Sequence, residues 1–197
     1  MAVQAINLDC PGCGYPVNLN DETCPACGRK LVISTFNSVA GMSMPELNKS
    51  ANSYRKALAS DPENSDVNMS LGFCYLKLKL YDKAIPCFEK AIENNFDNSE
   101  LYFYTAVALL RGKKAFLTLR PEIDKILQYL DAAVSIEPRG IYYYFMAYIK
   151  QDYFARKGLI TTPNYTQLLA QAKQSGLPST DVATLWQLLG VTRPDCM

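Results

Sequence analysis

Histidine is absent from this chain of 197 residues, and the absence excludes a good deal. Without imidazole there is no commonest general base, no Ser-His or Cys-His nucleophile pair and no His-ligated catalytic metal. An excess of charge of one sign is lacking too. The 20 Lys and Arg stand against 19 Asp and Glu, a net charge of +1. That balance gives no overall attraction to nucleic acid or to an anionic membrane; only a local cluster would supply one. Long apolar runs are missing as well. Ile141–Ile149 is nine apolar residues, four of them Tyr, where a membrane helix needs about 20. No phosphate loop, dinucleotide fingerprint or nucleophile–base pair stands in the sequence. The expectation is a protein that is not an enzyme and has no membrane partner. The first residues, Met1–Ala5, carry neither the basic start nor the apolar core of a secretory signal, so a cytoplasmic location is expected.

What the chain does have is an apolar fraction of 49%, enough for a packed core, and seven cysteines unevenly placed. Four fall early, as Cys10-Pro-Gly-Cys13 and Cys24-Pro-Ala-Cys27; Cys74, Cys87 and Cys196 are scattered. Two Cys-x-x-Cys pairs with ten residues between them have the spacing of a tetrahedral four-cysteine zinc site. Two intervening residues allow a tight turn that aims both sulfurs at one metal. Gly14 and Gly28 each follow a second cysteine, where the chain must bend. The alternatives are a disulfide framework, which suits a short secreted chain, and a redox motif, which normally occurs once beside a βαβ pattern. With all four positions taken by protein ligands, such a metal is structural.

Cys-Pro-x-Cys-Gly, occurring twice, resembles the paired knuckles of the zinc ribbon family. The resemblance covers about residues 3–34 and implies short strands at Val3–Leu8, Tyr15–Leu19 and Lys30–Ile33 around one structural zinc. Its ligands would be Cys10, Cys13, Cys24 and Cys27. Zinc ribbons contact nucleic acid or protein. Side chains through Ser34 sum to −1, and four thiolates on Zn²⁺ add about −2. A module that negative repels phosphates, so protein contact or a structural role is expected.

The longer remainder contains a repeat. Leu71-Gly72, Tyr75, Ala84, Phe88 and Ala91 resemble the tetratricopeptide repeat in residue type and spacing. The resemblance implies a helical hairpin in which Gly72 and the two alanines let helices approach while Tyr75 and Phe88 fill the space. Thirty-four residues earlier stand Tyr54, Ala57 and Pro62; thirty-four later, Tyr102, Thr105, Ala106 and Leu109. The second half of that next repeat is displaced to Leu130, Ala133 and Pro138, which places an insertion at Arg111–Arg120. The fold class expected is therefore mainly α, a tetratricopeptide-like hairpin array with a small β zinc ribbon at its start. The domains would be 1–34 for the ribbon, 35–44 for a small polar linker, and 45–197 for the helical repeats with capping helices.

Pattern and stop signals predict helices over Pro45–Ser60, Asp66–Lys79, Asp82–Asn94, Ser99–Arg111, Pro121–Ile136, Arg139–Ala155, Pro163–Ser175 and Ser179–Leu189. Ile141–Ile149 is apolar all round and must be covered on more than one side. Leu168, Leu169, Leu185, Trp186, Leu188 and Leu189 are assigned as its cover.

Tetratricopeptide hairpins line a concave groove with their first helices. The resemblance therefore implies a partner-binding strip of Met69, Phe73, Leu76, Phe103, Val107 and Leu110, suited to an apolar helix or extended peptide, unless the chain's own C-terminal helices fill it. Carboxylate-clamp residues do not stand at those places, so that activity is not implied. The reading is an adaptor or scaffold for a protein or peptide partner. Its rival is an RNA- or nucleic-acid-associated protein using the ribbon or the basic 111–120 loop, where Arg111, Lys113, Lys114 and Arg120 surround Phe116 with no acid among them. Four such charges in a solvated loop attract polyanions weakly, so nucleic acid is not the expected partner.

Overall fold

The structure is a computed structural model that describes residues 7–18 and 21–197. The chain forms two compact units, Met1–Phe96 and Asp97–Met197.

In the first unit β1 (Asn7–Asp9) pairs antiparallel with β2 (Pro16–Asn18), Leu8 opposite Val17. The expected strand residues 3–6 and 19 lie outside the described residues. In place of a strand at 30–33 there is a single bridge between Thr23 and Lys30. A short helix α1 (Asn37–Ala40) follows, then α2 (Met44–Ser60), α3 (Ser65–Lys77) and α4 (Tyr81–Asn94). Local chemistry fixes the helix starts. Glu46 accepts from Ser43 N and Oγ at 2.9 and 2.8 Å ahead of α2, and Asn64 accepts from Val67 N at 3.0 Å ahead of α3. The hairpin α3–α4 closes as the repeat spacing predicts. A Cβ on Gly72 would meet the Phe88 ring at 2.6 Å, so only glycine lets the helices come this close.

Residues 35–44, expected as a linker, are packed at two places. Phe36 and Val39 are buried with Leu31 and Ile33, and α1 contacts α3. Small polar composition hid the two apolar residues, Phe36 just before α1 and Val39 within it, that turn inward.

The second unit holds α5 (Ser99–Leu109), a 3₁₀ turn at Ala115–Leu117, α6 (Arg120–Ile136), α7 (Gly140–Ile149), α8 (Tyr165–Gln174) and α9 (Ser179–Leu189). Helices α5–α6 and α7–α8 pack as hairpins. The helix expected to run from 139 to 155 leaves α geometry at Lys150 for a π-helix to Phe154 and a 3₁₀ turn at Ala155–Lys157. Helix α7 is covered as its composition requires. Leu168, Leu185 and Leu189 are buried, and Trp186 packs on Tyr148 at 4.9 Å while its Nε1 donates to Tyr144 OH at 3.1 Å.

Candidate metal centre and the expected groove

The two knuckles repeat one backbone pattern. Gly14 N donates to Cys10 O at 2.9 Å and Gly28 N to Cys24 O at 2.8 Å; Cys10 N donates to Tyr15 O and Cys24 N to Arg29 O, both at 2.8 Å. Gly14 and Gly28 take φ of 86° and 70°, the left-handed region that glycine enters without strain. The pattern turns four sulfurs toward one point, all within 4.8 Å of one another. Cys10 and Cys27 Sγ are 3.6 Å apart, and Cys13 and Cys24 Sγ 3.7 Å. Tetrahedral bonds of about 2.3 Å require sulfurs about 3.8 Å apart, so the donor set fits such a metal. No cysteine is in a disulfide. Burial alone would raise the Cys10 thiol, but the N–H groups of Cys13 and Gly12, with the thiols of Cys24 and Cys27, outweigh it and bring the thiol down to about 6, whereas burial pushes Cys24 up to about 11. Only the first of these shifts favours the thiolate, which is the ligand form.

The knuckles are tied to the helices behind them by contacts the sequence did not announce. Tyr54 OH donates to Leu31 O at 2.8 Å, and Ile33 N donates to Ser70 Oγ at 2.8 Å, both buried. Ser53 Oγ donates to Asp9 O, and Lys49 Nζ to Gly12 O. Arg29 pairs with Glu46 at 3.4 Å and Lys56 with Asp9 at 3.2 Å. The only sequence signal was Tyr54 itself, which the 34-residue shift aligns with Phe88.

The six residues expected to line a groove are placed inside. Met69, Phe73, Leu76, Phe103, Val107 and Leu110 are all buried, none more than 4% exposed. Phe73 packs edge-on against Phe88 of its own hairpin at 5.3 Å. Phe103 lies against Tyr142 at 5.0 Å and Phe145 at 5.9 Å. A water-exposed apolar strip along these residues is thus corrected to core packing. Helical spacing locates a face but does not say whether a neighbouring helix covers it.

Arg111–Arg120 keeps its cations at the surface, with Lys113, Lys114 and Arg120 exposed. Arg111 pairs with Glu122 at 2.6 Å and Arg120 with Asp124 at 2.8 Å. No helix among the described residues is long and apolar enough to cross a membrane.

Comparison with known proteins agrees with the hairpins. Residues 66–98 match the family model of the tetratricopeptide repeat. No curated protein matches the sequence significantly. Among solved structures, MamA of MSR-1 superposes with a TM-score of 0.52 at 21% identity, over 65% of this chain and 66% of that one. MamA of AMB-1 gives 0.53 at 21%, over 66% and 68%. A thermophilic TPR protein of Thermus thermophilus gives 0.50 at 17%, over 75% and 76%. At such identities the likeness is one of fold, and the chain spans about two thirds of the length of the MamA structures. Residues 66–98 are thus similar to a tetratricopeptide repeat, and the helical fold around them is tetratricopeptide-like.

Proposed function

We propose that the chain is a non-enzymatic adaptor that holds protein partners on tetratricopeptide-like hairpins, with one zinc ion as a structural element at its start. The observation that carries the reading is the α3–α4 hairpin, whose 66–98 segment matches the tetratricopeptide repeat within a helical array. Stacked hairpins present extended surface rather than a reaction pocket, and such surfaces serve recognition. Zinc would be held by the thiolates of Cys10, Cys13, Cys24 and Cys27, where it would supply folding energy to a module too small for a sufficient core. Four protein ligands leave no position for a substrate. The polar contacts to Tyr54 and Ser70 then seat that module on α2 and α3.

The test is affinity capture with the full chain from its native host, followed by reconstitution with the captured protein in pure form. A stoichiometric complex that survives nuclease treatment is the expected result. No stoichiometric protein, or recovery that depends on nucleic acid, overturns the reading. Elemental analysis should return about one zinc per chain; a value near zero in reducing buffer removes the metal from it.

A further inference from the structure

Arg29 leaves the second knuckle and crosses the first. A Cβ on Gly12 would meet Arg29 Nε at 2.9 Å, Arg29 Cδ at 3.0 Å and Cys27 Sγ at 3.4 Å. The base of the guanidinium and that sulfur thus reach the same point beside the Gly12 Cα, and glycine leaves room for both. Arg29 Nη2 ends on Glu46 at 3.4 Å, but Nη1 is out of water and has no hydrogen-bond partner. A cationic donor left buried and unpaired is costly unless negative charge beside it offsets the loss of water. Glu46 offsets little. Its carboxylate is 46% exposed, already accepts from Ser43 N and Oγ, and holds Nη2 alone.

The sulfur cluster is the larger negative neighbour. Four thiolates around Zn²⁺ leave the centre at about −2, and the four sulfurs stand within 4.8 Å of one another beside this guanidinium. Asp9, Asp21 and Glu22 on the same module add to the charge to be balanced, with Lys56 3.2 Å from Asp9. A second cation serves the first knuckle. Lys49 Nζ, on α2, donates to Gly12 O. That carbonyl belongs to the peptide whose N–H is Cys13 N, and the N–H groups of Gly12 and Cys13 both serve the Cys10 sulfur. A cation on Gly12 O polarises the peptide and makes the Cys13 N–H a stronger donor. Glu46 and Lys49 are three residues apart on α2, so one face of that helix holds Arg29 and supplies the lysine.

From this we infer that Arg29, assisted by Lys49, is the outer shell of the metal centre: the two cations balance the charge of the four thiolates and set how tightly the knuckles hold zinc. The inference rests on the zinc part of the proposed function and names the residues, beyond the four ligands, that the ion depends on. Partners of this kind commonly change metal affinity about 10–100-fold when removed. The rival is a plain surface staple between the second knuckle and α2, made by Arg29 and Glu46. Glu46→Gln separates the two, because it keeps an acceptor for the capping box while removing the ion pair.

The test is competition for Zn²⁺ between the full chain and a chromophoric chelator, with Co²⁺ as a spectroscopic stand-in. Arg29→Gln should bind Zn²⁺ at least about tenfold more weakly than the wild type. Arg29→Lys keeps the charge and should lose less, Lys49→Gln should lose less than Arg29→Gln, and Glu46→Gln should hold Zn²⁺ as the wild type does. A cation beside a sulfur lowers the energy of its electrons. At saturating Co²⁺ the sulfur-to-cobalt charge-transfer band should therefore move to longer wavelength in Arg29→Gln and stay in place in Glu46→Gln. Arg29→Met, which keeps the stem across Gly12, repeats both measurements should the glutamine disturb folding. Three results overturn the inference: Arg29→Gln and Arg29→Met hold Zn²⁺ like the wild type, Glu46→Gln loses as much affinity as Arg29→Gln, or the cobalt band does not move when the guanidinium is removed. A wild-type chain that binds no Zn²⁺ in reducing buffer sinks the zinc reading and this inference together. A zinc-loaded wild type with indifferent Arg29 variants sinks this inference alone.

Discussion

Gly140 shows how little freedom some single positions have. It begins α7, and a Cβ there would lie 2.1 Å from Gly176 O and 2.5 Å from Ala172 O. Both are main-chain atoms, which cannot rotate away as a side chain would. Gly140→Ala should therefore cost about 3 kcal/mol, the upper end of overpacking, read as a shift in denaturant midpoint. Gly41→Ala meets nothing within 4 Å and should stay within about 0.5 kcal/mol. The cysteines divide on the same local grounds. Burial pushes Cys74 up to about 12 and Cys87 up to about 11, so near pH 8 both remain thiols and are poor nucleophiles. Iodoacetamide followed by peptide mass spectrometry should label exposed Cys196 quickly and leave Cys74 and Cys87 unmodified. Cys10, Cys13, Cys24 and Cys27 should become reactive only after a chelator is added. Rapid labelling of Cys74 in the folded chain would show that α3 opens far more readily than its packing implies.

At the scale of elements, periodicity carried most of the fold. Apart from the helix expected at 139–155, each predicted helix ends within two residues of the observed one. The reason is that Pro45 and Pro121 stand in the first turns of their helices by local chemistry alone, and Ser99 and Ser179 are the first residues of theirs, although the N-cap places are Asn98 and Pro178. The metal knuckles were legible for the same reason, as spacing within a short segment. What was not legible depends on distant partners. Nothing local told that Asp152 would be buried, because its partners are Phe116 N, 36 residues away, and Arg156. Nor did the pattern tell that Met69 and Phe103 would be covered. The docking of the knuckles on α2 is the largest omission. The 34-residue shift aligns α2 with α4, the second helix of its hairpin, yet no helix of that length precedes it among the described residues. The metal module packs there instead, with Tyr54 OH donating to Leu31 O across 23 residues of sequence. Tyr54→Phe keeps the ring and removes the donor, leaving a buried carbonyl unpaired. Equilibrium unfolding should show a loss of about 1–3 kcal/mol. A change within error would mean that the ring alone seats the module.

At the scale of the whole chain, the two units give metal removal a definite reach. The knuckle segment donates to or accepts from α2 and α3, and α3 in turn packs on α4 through Phe73 and Phe88. These links all lie within Met1–Phe96. The second unit has its own core, built on Tyr142, Phe145 and Tyr148. In a repeat fold, stability is the sum of each hairpin and its neighbours, so the loss of one end propagates with decreasing strength. Chelation should raise hydrogen exchange most in the knuckles and around Tyr54 in α2, less in α3, and least in α4. Exchange in α7 and α8 should not change. Restoring one equivalent of Zn²⁺ should return the protection in α2, since binding that folds the module contributes directly to the stability of what it packs against. Chelation that loosened only residues 7–33 would show that the module is a passenger on the helices. Chelation that loosened α7 equally would show that the two units fold as one.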